Sequence, residues 1–150
     1  MNRIYLDDIR TPLEEGWAVV RSFAELKSKV LELGLERISH ISLDHDLDQT
    51  AMDEYFGNVA KNYTIDYSRI LEPTGMDCVR WLVEHFYQKN PKRKKMSRLE
   101  KKSYPIKFPY ITVHSHNPIG SANMSGYINN FLKNEGQEED CERARIPYRD

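Results

Sequence analysis

Ile41-Ser42-Leu43-Asp44-His45-Asp46-Leu47 runs from apolar and small residues straight into two carboxylates with an imidazole between them. A short run this rich in aliphatic residues reads as a strand buried on both faces, and the charges arrive where such a strand would end. In an open parallel sheet the carboxyl ends of the strands are where ligands bind. A lone Asp there would be a turn cap. Asp-His-Asp after a buried strand costs too much desolvation to be incidental. The stretch is read as a site, on the condition that other strands deliver partners to the same edge.

Two other strands meet that condition. Arg3–Leu6 ends in Asp7-Asp8, with Arg10 and Pro12 following in a turn that Pro keeps from being helical at once. Trp17–Arg21 reads as the next strand and leaves little room for a helix before it. Tyr110–Val113 ends in His114-Ser115-His116-Asn117-Pro118. Helices separate these strands. Ser22 and Glu25 form a capping-box pair ahead of an apolar stripe of Phe23, Leu26, Val30 and Leu33, closed by Gly34. Thr74 caps a second helix with Met76, Val79, Val83 and Phe86 on one face. Asn117 and Pro118 open a third, with Met124, Tyr127, Ile128 and Phe131 facing inward. Strands alternating with helices predict a parallel α/β sheet.

The chain of 150 residues is long enough for one domain, 1–150, with a real core. Its 22 basic and 23 acidic side chains set up no global field for nucleic acid or membrane. The charge is uneven: residues 89–102 carry eight basic side chains against Glu100 alone, and 135–142 carry five acidic ones. The basic run reads as an exposed linker rather than a nucleic-acid patch, since it has few aromatics to stack on bases, and duplex DNA is not an expected partner. Cys78 and Cys141 stand far apart in no metal-like spacing, which suits a reducing cytoplasm. No signal-like or membrane-length apolar run occurs. Residues 48–73 hold Tyr55, Phe56, Tyr63 and Tyr67 around one short helix near 51–61, as either a binding lid or a surface excursion packed by its aromatics.

Together the three strand ends bring Asp7, Asp8, Asp44, Asp46, the imidazoles of His45, His114 and His116, and the hydroxyl of Ser115 to one edge. Crowded carboxylates repel and call for a cation or a shared proton. The helix opening at Pro118 aims free N–H groups and a positive dipole end at the same edge, a ready anion site. A metal site, proton-transfer groups and an anion cradle describe phosphoester chemistry.

Leu-Asp-Asp-x-Arg-x-Pro at 6–12, Ser-Leu-Asp-His-Asp-Leu at 42–47, Thr-Gly-x-Asp then Trp-Leu at 74–82 and His-Ser-x-Asn-Pro-x-Gly at 114–120 occur in this order. Over roughly residues 3–132 the set resembles the cyclic-phosphate processing receiver domains, a derived branch of the response-regulator receiver fold. The resemblance implies a flavodoxin/receiver-like three-layer sandwich. Its parallel sheet would have four to five strands in the order 2-1-3-4(-5), with a reduced first helix, insertions about 48–73 and 90–105, and a tail about 137–150. It matches Asp7 and Asp8 to the acidic pair that holds magnesium, Asp44 to the phosphoacceptor position and Ser115 to the switch hydroxyl. One departure stands out. A receiver carries Lys-Pro after its fifth strand, whereas here Arg145-Ile146-Pro147 puts Ile in the Lys slot, which argues against phosphorelay signalling.

The implied role is recognising or opening a cyclic phosphate, such as a 2′,3′-cyclic RNA end or a cyclic nucleotide. The expected enzyme is a phosphoesterase with His45 and His114 as acid and base in either order, and Asp44 beside them. Asp7, Asp8 and Asp44 would hold a divalent cation, with Asp46 on the metal or on a neighbouring imidazole. Arg10, Ser115, His116, Asn117 and Gly120 would grip the phosphate. Carboxylate ligands favour Mg²⁺ or Mn²⁺, and histidine ligands would admit Zn²⁺. The alternative is a module that binds a cyclic nucleotide without cleaving it, its 48–73 aromatics stacked on the base; a phosphoacceptor receiver ranks third.

Overall fold

Ile4, Ile41 and Ile111 lie side by side across three neighbouring strands, and Leu6, Leu43 and Val113 form the next row. These rows are the floor on which the helices pack. The computed structural model describes residues 2–138, 140–144 and 146–149. Along the chain come β1 (Asn2–Leu6), β2 (Thr11–Pro12), β3 (Trp17–Val20), α1 (Phe23–Leu33), β4 (Ile38–Leu43), α2 (Gln49–Glu54) and α3 (Ala60–Asn62). Then follow α4 (Gly75–Lys89), α5 (Arg98–Ser103), β5 (Tyr110–Val113), α6 (Pro118–Asn134), β6 (Glu142–Arg143) and β7 (Tyr148–Arg149).

The main sheet has five strands, all parallel, ordered β3-β1-β4-β5-β6. Numbered within the sheet this is 2-1-3-4-5, the receiver-like order. The α/β receiver-like fold expected from the sequence is the fold observed. Residues 7–16 contain no helix, in line with a reduced first helix. Arg21 ties that segment down instead, donating to the carbonyls of Asp7 at 3.1 Å and Arg10 at 2.6 Å and to Thr11 Oγ1 at 2.8 Å.

The helices begin and end where local chemistry dictates. Ser22 Oγ accepts the Glu25 N–H, while the Glu25 carboxylate bonds the N–H of Arg21, one residue earlier than a capping box would have it. Gly34 closes α1 with φ 86°, a conformation that favours glycine. Thr74 and Asp77 form a complete capping box on α4. Leu26 and Val30 of α1, Val79 and Leu82 of α4, and Met124 and Ile128 of α6 are wholly buried against the aliphatic rows. Each such side chain contributes about 1.5–3 kcal/mol by leaving water. No helix among the described residues is long and apolar enough to cross a membrane.

The two insertions differ from simple loops. Residues 49–62 form one helical run in which a π-helical segment, Tyr55–Val59, joins α2 to α3. The basic stretch, expected as an exposed linker, contains a 3₁₀ turn over Pro91–Lys95 and then α5. Its Arg93 is buried, with Nε 2.9 Å from Glu135 Oε2, and Lys101 Nζ lies 3.3 Å from the other oxygen. A fully buried carboxylate has to be paired, and Glu135 takes its partners from the basic run. The chain beyond residue 137 is not merely a tail. Glu142–Arg143 add the fifth strand, and Tyr148–Arg149 pair antiparallel with β2.

Candidate functional site

The site is built where β1, β4 and β5 end. Asp7 and Asp8 follow β1 and Asp44 follows β4, and one carboxylate oxygen from each lies within 4.8 Å of the others. Asp7 is fully buried and Asp44 nearly so. Arg10 bridges them, with Nε 3.1 Å from Asp7 Oδ2 and Nη2 3.6 Å from Asp44 Oδ2. The positive charge facing Asp44 therefore comes from the loop after β1. Ile146 precedes Pro147 at the chain's far end, and Arg145 lies outside the described residues.

Each carboxylate has its own electrostatic character. Burial raises the Asp44 carboxyl, the neighbouring Asp7 raises it further, and Arg10 and the Ser115 hydroxyl only partly offset them; the result is about 7. Burial and Asp7 also push Asp8 upward. For Asp7 burial acts in the same upward direction, but hydrogen bonds from His114 and from the backbone N–H groups of Arg10 (2.7 Å) and Ile9 (3.0 Å) outweigh it and hold Asp7 below its ordinary value. A cluster of oxygen donors, partly desolvated and mutually repelling, fits a hard divalent cation. The cluster contains no imidazole or thiol, which disfavours Zn²⁺.

A cavity of about 460 Å³ opens onto this cluster. Asp8, Arg10, Asp44, Asp46, Ser115 and His116 supply its polar lining, and Met52, Tyr55, Phe56 and Tyr148 its apolar side. Tyr55 and Phe56 come from the 48–73 insertion, as the stacking reading requires. Tyr67 does not join them; its hydroxyl lies 3.0 Å from His45 Nε2. Tyr148 has no counterpart in the sequence reading. It sits under the Arg10 guanidinium at 4.9 Å, and its hydroxyl is 3.4 Å from His116 Nε2.

The family model of the cyclic-phosphate processing receiver domain matches residues 2–130 of the chain. The chain belongs to that family. No curated protein and no solved structure matches it. The family match and the fold agree with the resemblance read from the strand-end motifs.

Within this receiver-family site several residues are placed differently from their sequence reading. His45 is fully buried, its Nδ1 2.6 Å from Asp46 Oδ1 and its Nε2 committed to Tyr67, so neither ring nitrogen meets the cavity. His114 stacks on Tyr5 at 4.3 Å, with Nε2 3.1 Å from Asp7 Oδ2 and Nδ1 2.8 Å from Ser42 Oγ. Both imidazoles are held behind the carboxylates, and the exposed His116 is the one on the cavity wall. Asp46 stands outside the three-carboxylate cluster and uses Oδ1 on His45 and, at 3.2 Å, on Asn117 Nδ2, which is the imidazole-orienting alternative.

Asn117 and Gly120 do not line the cavity. Asn117 is buried and caps α6 by accepting the Gly120 N–H at 2.8 Å. A Cβ on Gly120 would come within 2.4 Å of the His45 ring, so the glycine is needed for close packing. Gly75 has the same explanation, since its Cβ would lie 2.1 Å from the Asp44 carbonyl oxygen. Two motif glycines thus let the starts of α4 and α6 close on the strand that carries the site.

Proposed function

We propose that this domain is a cation-assisted phosphoesterase that opens a cyclic phosphate, on a nucleotide or at an RNA end, in the cavity beside Asp44. The observation that carries the reading is the meeting of three carboxylates with Arg10 and Ser115 at one strand edge. Asp7, Asp8 and Asp44 would hold Mg²⁺ or Mn²⁺, which supplies positive charge at the phosphate oxygens. Arg10 is already in place to share its guanidinium between Asp44 and a non-bridging oxygen, and the Ser115 hydroxyl can donate to another. Tyr55, Phe56 and Tyr148 offer flat apolar surface for a base.

In the reaction, water adds to phosphorus, one ring P–O bond breaks, and the proton lost by water ends on the departing ribose oxygen. His116 is the imidazole on the cavity wall and carries that proton. His45 and His114 act instead by holding Asp46 and Asp7 in place.

A second reading, a module that binds a cyclic nucleotide without opening it, is favoured by the engagement of His45 and His114 away from the cavity. Product analysis separates the two. The protein is incubated with RNA ending in a 2′,3′-cyclic phosphate and with cyclic dinucleotides, each with Mg²⁺, Mn²⁺ or chelator. Cation-dependent formation of a phosphomonoester or linear product supports the phosphoesterase. Ligand retained by the protein and recovered intact after denaturation supports the binding module.

A further inference from the structure

The carboxyl edge of the sheet does not end with the three carboxylates. β6 lies beside β5, with Arg143 in register with Val113, and the Ala144 N–H donates to the Val113 carbonyl at 3.0 Å. This carries the edge sideways and brings Arg143 to the same end of the sheet as His114. The β2–β7 ribbon borders the extension: Pro12 pairs with Tyr148, and the Leu13 N–H donates to the Pro147 carbonyl at 2.9 Å. Between the ribbon, β6 and the start of α6 lies a second cavity, of about 610 Å³.

The two cavities are neighbours. Arg10, Ser115, His116 and Tyr148 line both. Arg10 lies over the Tyr148 ring at 4.9 Å, and the His116 ring stands edge-on to the same ring, with centroids 6.5 Å apart. These side chains form a partition, and its two sides differ in charge. Asp8, Asp44 and Asp46 line the first cavity. No acidic side chain among the described residues lines the second, whose fixed charges are the guanidiniums of Arg10 and Arg143 and whose apolar walls include Leu13 and Ile146. Carboxylates take a phosphate only through a cation they hold, whereas a guanidinium takes one directly in a fork that matches its oxygens. A positively charged, apolar-walled space within the roughly 300–1,000 Å³ usual for ligand sites suits an organic anion with a flat body.

We propose that the second cavity is a nucleotide subsite, so that the ligand of this domain carries at least two nucleotides, one on each side of the Arg10–Tyr148 partition. The inference rests on the reading given under Proposed function, in which the first cavity takes a cyclic phosphate and its own base. The further phosphate then meets Arg143, and the second base lies against Leu13 and Ile146. A linear RNA end and a cyclic dinucleotide share this chemistry.

The test is a ladder of adenine ligands offered to the full chain with Mn²⁺. Its rungs are adenosine 2′,3′-cyclic phosphate, the same compound with a 5′-phosphate, the dinucleotide ending in that cyclic phosphate, and cyclic di-adenylate. They are compared by kcat/KM where a ring is opened and by Kd where none is. The 5′-phosphate should gain about tenfold over the first ligand, as a charge-assisted hydrogen bond gives. The better of the two dinucleotides should gain about tenfold more from its second base, and which one it is separates an RNA end from a cyclic dinucleotide. Arg143→Gln should abolish the gain from the 5′-phosphate, while Arg98→Gln, the same charge change on α5, should keep the wild-type ladder. Equal values along the wild-type ladder overturn the second subsite and leave the cyclic-phosphate reading in place. A loss in Arg98→Gln as large as in Arg143→Gln does the same, since it traces the gain to overall charge. A wild type that neither binds nor opens any of the four removes that reading and the subsite with it.

Discussion

The two faces of the sheet are made by alternate residues of the same strands and do different work. One face is the aliphatic rows of Ile4, Ile41 and Ile111 and of Leu6, Leu43 and Val113, closed by α1, α4 and α6. The other carries Tyr5, Ser42, Thr112 and His114, with Trp17, His40 and Tyr110 stacked edge to face or tilted along it. Its cover is thin: the 7–16 segment, where Arg3 reaches Glu14 and the Glu15 carbonyl, and the β2–β7 ribbon. The first face resembles any protein interior, whereas the second is built of groups that need specific partners and leads to the carboxylates. The difference teaches that stability and site geometry are assigned to opposite sides of one sheet.

The largest expected effect tests the first half of that division. Leu82→Ala on α4 should cost about 3 kcal/mol of unfolding free energy in denaturant, from lost burial and the cavity left behind. Its Mn²⁺ affinity, measured on the folded fraction, should stay at the wild-type value. A loss of affinity as large as the loss of stability would show that the faces are not separable.

His116→Ala probes the cavity side. The ring is exposed, so stability should change by no more than about 0.5 kcal/mol, while turnover on a cyclic-phosphate substrate should fall about a hundredfold. His45→Ala should do the reverse in kind, since it empties a buried place between Asp46, Tyr67 and Gly120 and should lower the melting temperature. Unchanged turnover in His116→Ala would return the proton-carrying role to another group.

Much of this division was legible in the sequence, and for a physical reason. Aliphatic strands, Ser22, Thr74 and Asn117 at helix starts and Gly34 at a helix end are local signals, so the order of elements and the strand-end carboxylates follow from short stretches. What stayed hidden depends on contacts distant in the chain. Nothing near His45 or His114 says that their nitrogens meet Tyr67, Ser42 and Asp7. Nothing in a run of lysines marks Arg93 as the one that finds Glu135. The two-residue β2–β7 pair that brings Tyr148 to Arg10 is too short to show a period. The close approach of Gly120 to the His45 ring is likewise visible only once the helix is packed.

A smaller effect concerns pH. Asp44 has a folded value raised by burial and Asp7 to about 7 from an ordinary 3.8. For a group raised on folding, the stabilising contribution is complete below the ordinary value and is lost as pH rises through the folded one. A cation bound to the ionised carboxylate opposes that loss. The rise in melting temperature with saturating Mg²⁺ over chelator should therefore be larger well above the Asp44 value than well below it. Equal rises on both sides would remove Asp44 from the cation site.

The smallest effect lies on the aromatic face. Tyr5 Oη and Trp17 Nε1 are buried with no hydrogen-bond partner among the described residues. An unmade buried hydrogen bond costs about 1–3 kcal/mol, so Tyr5→Phe should leave stability unchanged or raise it slightly in denaturant unfolding. A clear loss would mean that the hydroxyl has a partner when the site is in use.

The central claim is that the carboxyl edge of β1 and β4, rather than the acidic stretch at 135–142, is where this protein holds a divalent cation. Titrating Mn²⁺ into ¹⁵N-labelled protein and mapping paramagnetic broadening tests it directly. Signals of residues around Asp7, Asp8 and Asp44, together with Arg10 and Ser115, should disappear first, and Asp44→Asn should suppress that pattern. Broadening centred on 135–142, or none below non-specific levels, would contradict it.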